Sequence, residues 1–385
     1  MRKMAFVDLT NYKDWPMGGM LEYELSILKN LVNEFDIEIW GVSVDGVANE
    51  SLELNGKNYP IHVFGNVKTK NKFFPNYWRG LNLVREKKIF TTEYDIVYAH
   101  TGSCLIAAHF ITNRNKTKLV YHQHGLNHLK DYSLMSLIQR PGLRLAQKYA
   151  GLVFVVSNLE SVEKYAKEME RKTKARFVSI GSPVDLSRFD EVKNKEKILE
   201  KKNSPTRNYL YTGRLSAFKN VKTLIDAVHM YKQKVGREVK MTVAGSGEEM
   251  DNLARQVKLL KMESSIEMLG AVSHEQIYSL LEDADVFLTA SGGEGVSVSV
   301  VEAYAAGLPV VCFNVLGLNK QVVNGVTGIV AQDKTADAFC DAMLQLDEIR
   351  TEAALNCLRE AKKYDATRVS NTICCEINSL FWGKP

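Results

Sequence analysis

Short β-prone apolar runs return along this chain with helix-length segments between most of them, and the series is played twice. In the first half the runs are Met4–Leu9, Ile37–Val42, Ile96–Tyr98, Lys118–Tyr121 and Leu152–Val156, with Leu21–Val32 reading as a helix after the first. In the second half they are Asn208–Tyr211, Val239–Val243, Ile266–Leu269, Val286–Leu288, Val310–Phe313 and Gly328–Val330. Strands separated by helices cannot pair as hairpins and must cross over, which makes parallel sheets with helices on their faces. A chain of 385 residues has the length for two such cores. The expected fold class is therefore α/β, two Rossmann-like, doubly wound parallel-sheet domains facing an interdomain cleft. Residues 1–190 read as the first domain, the charged stretch 191–206 closing on Pro205 as a linker, 207–363 as the second domain, and 364–385 as a terminal helix.

Composition narrows the class. With 45% hydrophobic and 25% charged residues and no repeat or low-complexity tract, the chain reads as an ordinary globular protein. No run of about 18 apolar residues is present to span a bilayer. The opening Met1–Asp8 is interrupted by an acid too early to be a signal peptide. The six cysteines include no Cys-x-x-Cys pair, so a reduced, cytoplasmic protein is expected. Charge is uneven: residues 1–185 hold 25 Lys and Arg against 19 Asp and Glu, leaving 25 against 26 for the rest. The basic excess is densest in residues 64–88, where Lys68, Lys70, Lys72, Arg79, Arg85, Lys87 and Lys88 mingle with Phe73, Phe74, Tyr77 and Trp78. Such a segment suits an anionic membrane surface or a phosphorylated acceptor, or is a solvated loop lending aromatics to the core. No nucleic-acid motif accompanies it, and nucleic acid is not an expected partner.

The stretch Ser291–Ala303 carries the most chemistry. An apolar strand ends at Ala290, glycines 292 and 293 turn the chain, and a helix beginning at Val298 is stopped by Gly307 and Pro309. Glu294 falls in the loop and Glu302 in the helix. Between them the amides of Gly295, Val296 and Ser297 lie at the helix start, where N–H groups and the macrodipole favour a diphosphate. Carboxylates accept from hydroxyls, so a ligand with hydroxyls on either side of a diphosphate suits the pair: sugar at Glu294, ribose at Glu302. Two ordinary solvated acids are the other reading. Arg214 and Lys219 follow the first strand of the second half and suit a diphosphate clamp needing no metal. Gly245 with Gly247 makes a tight strand-to-helix turn and lacks the third glycine of a dinucleotide fingerprint. Gly18 and Gly19 precede the first helix and let backbone approach a phosphate, or make a plain turn. His100, His122 and His124 lie at the ends of first-half strands, His124 favoured by the glycine after it; a zinc site at His122 and His124 lacks an evident third ligand.

In this order these residues carry a resemblance. Gly18-Gly19, His124-Gly125, the segment Ser182–Phe189, Gly213-Arg214 with Lys219-Asn220, Gly245 and Gly247, Leu269-Gly270, and the two glutamates eight apart resemble the GT-B glycosyltransferases of family 4 across most of the chain. The resemblance implies transfer of a sugar from a nucleoside diphosphate, UDP foremost, with retained configuration and no cofactor or metal. It implies diphosphate binding by Arg214, Lys219, Gly18, Gly19, Val296 and Ser297, ribose binding by Glu302, and sugar binding by Glu294, His124 and Gly295. Gly245, Gly270, Ala271 and Val272 would lie by the base, and the terminal helix would cross back to the first domain. His124, Arg214, Lys219 and Glu294 are the expected catalytic group. The chain departs from the family at Gly181–Asp185, where relatives often have Asn-Gly-Val-Asp.

The expected partners are thus a nucleotide-sugar donor and a glycan or lipid-linked glycan acceptor of cell-surface polysaccharide synthesis, met in the cytoplasm or on the inner face of the membrane. A nucleotide-sugar epimerase or hydrolase on the same fold, and a non-catalytic nucleotide-sugar-binding subunit, are the alternatives. A dinucleotide-dependent dehydrogenase is disfavoured, because neither opening strand runs into a complete Gly-x-Gly-x-x-Gly.

Overall fold

The computed structural model describes residues 1–12, 19–43, 51–66, 76–86, 90, 93–124, 134–156, 160–204, 206–294 and 296–382. The chain divides into two compact units, unit 1 comprising Met1–Pro183 with Ala366–Pro385 and unit 2 comprising Val184–Asp365.

Unit 1 holds eight strands: β1 (Arg2–Val7), β2 (Phe35–Ser43), β3 (Ser51–Leu54), β4 (Lys57–Asn66), β5 (Ile96–Ala99), β6 (Lys118–Gln123), β7 (Leu152–Val156) and β8 (Arg176–Ile180). Their order is β3-β4-β2-β1-β5-β6-β7-β8, with every pairing parallel except the outermost β3 with β4. Unit 2 holds β9 (Arg207–Thr212), β10 (Val239–Ala244), β11 (Ile266–Gly270), β12 (Val286–Thr289), β13 (Val310–Phe313) and β14 (Gly328–Ala331). These run in the order β11-β10-β9-β12-β13-β14, all parallel.

Burial explains why the central strands read as unbroken apolar runs. β5, β7, β12 and β13 are buried at every position because helices cover both faces, whereas the edge strand β11 alternates. In each sheet the order reverses beside the first strand, between β1 and β5 in unit 1 and between β9 and β12 in unit 2. Crossovers on either side of such a point leave opposite faces, and a crevice opens beyond the carboxyl ends of the two strands.

Two boundary expectations are corrected. Residues 191–206 are not a linker: Glu191–Glu200 is a helix followed by a short 3-10 turn, and both belong to unit 2. Asp190 caps the helix by accepting from the Val192 and Lys193 amides, each at 3.0 Å. Asn194 and Ile198, four apart and so on one face, are its buried residues. Asn194 donates to the Ala305 carbonyl at 3.3 Å, Ile198 packs on Ala354 and Leu358, and Arg350 donates to the Lys201 carbonyl at 2.7 Å. A helix held by two contact residues amid charge looks like a linker in sequence. Unit 2 also starts at Val184, whose amide donates to the Tyr364 carbonyl at 2.8 Å. The helix Ala366–Ser379 lies in unit 1, where Asn378 accepts from Arg2 at 2.7 Å and Glu376 pairs with Arg176 at 2.8 Å.

Of residues 64–88, Phe64 and Leu83 are buried in the unit 1 core, and 67–75 with 87–89 lie outside the described residues. Among the described residues no helix is long and apolar enough to cross a membrane.

If residues 191–203 are part of the unit 2 core, Ile198→Ala should destabilise unit 2 by about 2–3 kcal/mol, the ordinary cost of a truncated buried isoleucine. Hydrogen exchange of the β12 and β13 amides measures this. A change within about 0.5 kcal/mol would instead be the behaviour of a solvated linker.

Candidate functional site

At the switch point of unit 2 the loops beyond β9, β10, β11 and β12 are laced together through their backbones. The Gly213 amide donates to the Ala244 carbonyl at 3.0 Å, Leu215 to Ser246 at 2.9 Å and Gly245 to Gly270 at 2.7 Å. A Cβ on residue 245 would fall 1.8 Å from the Gly213 carbonyl oxygen, and one on residue 247 would fall 2.2 Å from that of Leu215. Glycine at these two positions is what lets β9 and β10 end against one another. The next loop is tied on in the same way, Gly292 donating to the Phe218 carbonyl at 2.9 Å and Glu294 to Leu316 at 2.9 Å.

This lacing carries side chains from distant sequence positions together. Lys219 and Glu294 form an ion pair and hydrogen bond, with side chains 28% and 17% exposed. Ala217–Lys219 is a 3-10 turn ended by Asn220 at φ 51°, a left-handed conformation that asparagine tolerates. Arg214 is exposed, and its carbonyl accepts from the Tyr211 hydroxyl at 3.0 Å. Burial and then the charge of Glu294 hold the Tyr211 hydroxyl well above its ordinary range, so it remains a neutral donor. Glu302, in the helix Val298–Ala305, is buried at 6% exposure, not a solvated surface acid.

One expectation fails here. The Ser297 amide is not an open donor at the helix start: it donates to Gln321 Oε1 at 2.9 Å, while Gln321 Nε2 donates back to the Ser297 carbonyl at 2.9 Å. Gln321 lies 24 residues downstream, and no motif announces it. Val296 is half-buried and Gly295 lies outside the described residues. Gly270 ends β11 with φ 73°, next to the exposed Ala271 and half-buried Val272.

Unit 1 builds a second polar cluster at its own switch point. Asp8 follows β1, His100 follows β5, His122 lies in β6 and His124 follows it. Glu24, at 0% exposure, reaches in from the helix Gly19–Leu31. Thr10, with a single hydroxyl proton, lies 2.5 Å from Asp8 Oδ2 and 3.1 Å from Glu24 Oε1, so the two carboxyls compete for one donor. Burial, and then the neighbouring Asp8 charge, push Glu24 well above the usual carboxylate range, toward its neutral form. Tyr12 donates to its other oxygen at 2.5 Å. His122 is held at both nitrogens, by Tyr23 at 2.7 Å and Tyr98 at 2.5 Å, and its ring stacks on His100 and His124. His100 Nδ1 lies 3.0 Å from His124 Nε2. Burial holds His100 and His122 well below the ordinary histidine range and His124 down to about 4, so all three are neutral near pH 7.

His100 thus supplies the third histidine that sequence spacing did not show, and nitrogens of all three lie within 4.8 Å of one another. A metal is bound along an in-plane lone pair of each imidazole. The rings of His100 and His122 stack at 4.3 Å and 13°, so their planes meet only far beyond ligand distance, and both His122 nitrogens are held by Tyr23 and Tyr98; as arranged, the three do not converge on one point. Gly19 opens the helix that carries Glu24, while Gly18 and Gly125 lie outside the described residues.

Comparison with known proteins follows this division. Residues 191–364 match the family of glycosyl transferases group 1. The chain has a GT-B fold and, over these residues, is similar to the group 1 glycosyl transferases. It is 22% identical over 364 residues to an uncharacterized glycosyltransferase of Methanocaldococcus jannaschii, covering 90% of each chain. It is 22% identical over 334 residues to an Escherichia coli UDP-Gal:alpha-D-GlcNAc-diphosphoundecaprenol alpha-1,3-galactosyltransferase, covering 80% of this chain and 84% of that one. Among solved structures, Anabaena HepE in complex with UDP superposes with TM-score 0.70 at 20% identity, covering 98% of this chain and 100% of that one. The sucrose-phosphate synthase of Thermosynechococcus elongatus superposes with TM-score 0.77 at 16% identity over 100% of both chains. The segment read from its charge as a linker lies inside the matched domain.

Two outcomes follow from this geometry. Gly245→Ala should cost at least about 3 kcal/mol, because a backbone atom has to move; an unchanged melting temperature would contradict the close approach. Unit 1 should lose stability on acidification. Unfolded, His100, His109, His122 and His124 each take a proton below about pH 6.5, whereas folding lowers the proton affinity of all four, so the unfolded state binds more protons and stability falls from about pH 6.5 toward 4. Glu24 acts oppositely, since folding raises its affinity for a proton, but it is one group against four. All four tryptophans, at 15, 40, 78 and 382, are in unit 1, so the urea midpoint of tryptophan fluorescence should be lower at pH 5 than at pH 7.

Proposed function

We propose that the protein is a retaining, metal-independent glycosyltransferase that moves a sugar from a nucleoside diphosphate, UDP first among candidates, to a hydroxyl of a glycan or lipid-linked glycan in cell-surface polysaccharide synthesis. The observation that carries this reading is the Lys219–Glu294 pair, assembled from the loops after β9 and β12 at the switch point of unit 2, with Arg214 on the same loop as Lys219. Without donor the cation and carboxylate neutralise each other. With donor, Lys219 turns to the diphosphate alongside Arg214, and Glu294 is released to accept from hydroxyls of the transferred sugar. Glu302 takes the ribose hydroxyls, Val296 and the glycines at 18 and 19 complete the phosphate contacts, and the turn at Gly245 with Gly270–Val272 borders the base. The Ser297 amide, already held by Gln321, serves by shaping the loop.

The reaction needs no protein nucleophile in this reading. The glycosidic C–O bond to the diphosphate breaks while the acceptor oxygen bonds to the same face of the sugar, and the departing phosphate oxygen takes the acceptor proton. Arg214 and Lys219 stabilise the charge developing on that leaving group. His124, neutral near pH 7, donates to a sugar hydroxyl without adding a charge. UDP and a lipid-linked acceptor are supported by relatives: HepE was crystallised with UDP and with UDP-glucose, and the E. coli relative is named for UDP-Gal and a diphosphoundecaprenol acceptor. Residues 64–88 are the proposed contact with an anionic membrane that presents such an acceptor.

Donor hydrolysis and transfer assays across UDP-, GDP- and ADP-sugars test this. Arg214→Ala and Glu294→Ala should each lower transfer by at least about 100-fold with folding intact, as expected for groups acting on the leaving diphosphate and the sugar. Unchanged rates in both would sink the assignment. Presented in vesicles at low salt, a lipid-linked acceptor should be used faster in anionic than in neutral lipid.

A further inference from the structure

The cluster at the switch point of unit 1 does more than fill space. His100 is buried to 5% exposure, with one nitrogen, Nδ1, 3.0 Å from His124 Nε2 and the other, Nε2, buried without a partner. Two neutral imidazoles in hydrogen bond share one proton, and which ring owns it decides the tautomer of both. Glu24 settles the choice. Its Oε1 lies 3.7 Å from His100 Nδ1, and in either protonation state of Glu24 the hydrogen bond at that oxygen is the one with Thr10 at 3.1 Å. An oxygen at that distance with no proton to offer repels a lone pair on Nδ1 and favours an N–H there. His100 is therefore the Nδ1–H tautomer, and its N–H donates to His124 Nε2. The bare nitrogen left buried is then an acceptor lone pair, which in the opposite arrangement would be an unsatisfied N–H donor.

We propose that His100 is a positioning residue that locks His124 as its Nδ1–H tautomer, with Glu24 setting the polarity of the pair. The consequence for His124 is chemical: its Nε2 is occupied as an acceptor, and Nδ1–H is the donor it has to offer a ligand. His122 is the pedestal. Anchored at both nitrogens by Tyr23 and Tyr98, it stacks on each of the other two rings, at 4.3 Å on His100 and 4.7 Å on His124, and so fixes their planes while the hydrogen bond fixes their protons. Sequence spacing hides this device, since His100 and His124 are 24 residues apart on neighbouring strands.

That the locked N–H serves a sugar hydroxyl rests on the transferase reading above; the tautomer itself does not, and the test separates the two. Two-bond proton–nitrogen correlation spectra of the full chain carrying nitrogen-15 histidine report the tautomer directly, with His124→Gln identifying the resonances. His124 should be a single Nδ1–H tautomer in the wild type. His100→Ala should mix it with the Nε2–H form, and His100→Asn, whose amide nitrogen can stand where Nδ1 stood, should retain the Nδ1–H form. In transfer assays His100→Ala should lower kcat about tenfold, the worth of one hydrogen bond, with donor KM changed less than threefold, and His100→Asn should recover most of the loss. Melting curves identify any variant that fails to fold, and the wild-type spectrum alone remains decisive. An Nε2–H tautomer at His124 in the wild type overturns the proposal, as does an unmixed tautomer in folded His100→Ala. Tautomer mixing without any loss of kcat in an active enzyme overturns the positioning role, whereas a correct tautomer in a protein that transfers no sugar would count against the transferase reading alone.

Discussion

The carbonyl oxygen of Gly213 occupies the space where any side chain on residue 245 would begin, 1.8 Å from that missing Cβ. Everything at the end of the second sheet follows from this approach. It lets the turns after β9 and β10 hydrogen-bond to one another, brings Gly270 into the same lacing, and fixes the start of the segment that carries Arg214 and Lys219. Glu294 is then delivered to Lys219 by a loop whose own amides are spent on Phe218 and Leu316. A binding site made of loops needs such a scaffold, because free loops would lose to conformational entropy what the ion pair gains.

Unit 1 answers the same geometric problem with different chemistry. Its switch point is occupied by a buried polar network in which seven titratable groups are pushed toward their neutral forms: Glu24, Tyr12, Tyr23 and Tyr98 upward, His100, His122 and His124 downward. Burial is the leading cause in each case. Neutral groups in low dielectric cost less than ions and still direct hydrogen bonds. The loops at the switch point of unit 2 carry ions instead, Arg214 and the Lys219–Glu294 pair.

Much of this was legible in the sequence, and the failures have physical causes. The central strands were read because parallel strands covered on both faces are apolar at every position, whereas β3, β4 and β8, toward the edges of the first sheet, were missed because partly covered strands make no such run. The glutamate pair and the glycines were read because turns and helix starts have local chemistry. The helix Glu191–Glu200 was missed because two buried residues, Asn194 and Ile198, hold it, and two residues make no stripe. Gln321 was missed because its partner is 24 residues away and its hydrogen bonds are to backbone. Glu24 did leave a signal: an acid on the face shared by Leu21, Leu28 and Leu31, all buried, predicts either a buried partner or a neutral carboxyl.

The sequence by itself determined two doubly wound sheets, the positions of their turns and the residue types placed at the carboxyl ends of the strands, because each depends on periodicity and on backbone demands that act within a few residues. It also determined that Glu294 lies in a loop and Glu302 in a helix. Only the tertiary structure decided that Glu302 is buried, that Lys219 neutralises Glu294, that Gln321 closes the Ser297 amide, and that three histidines from two strands stack into one neutral group. Those outcomes depend on which distant residues arrive at the same switch point and how much water they exclude. Pairing, protonation and burial are properties of that meeting, and no residue carries them alone.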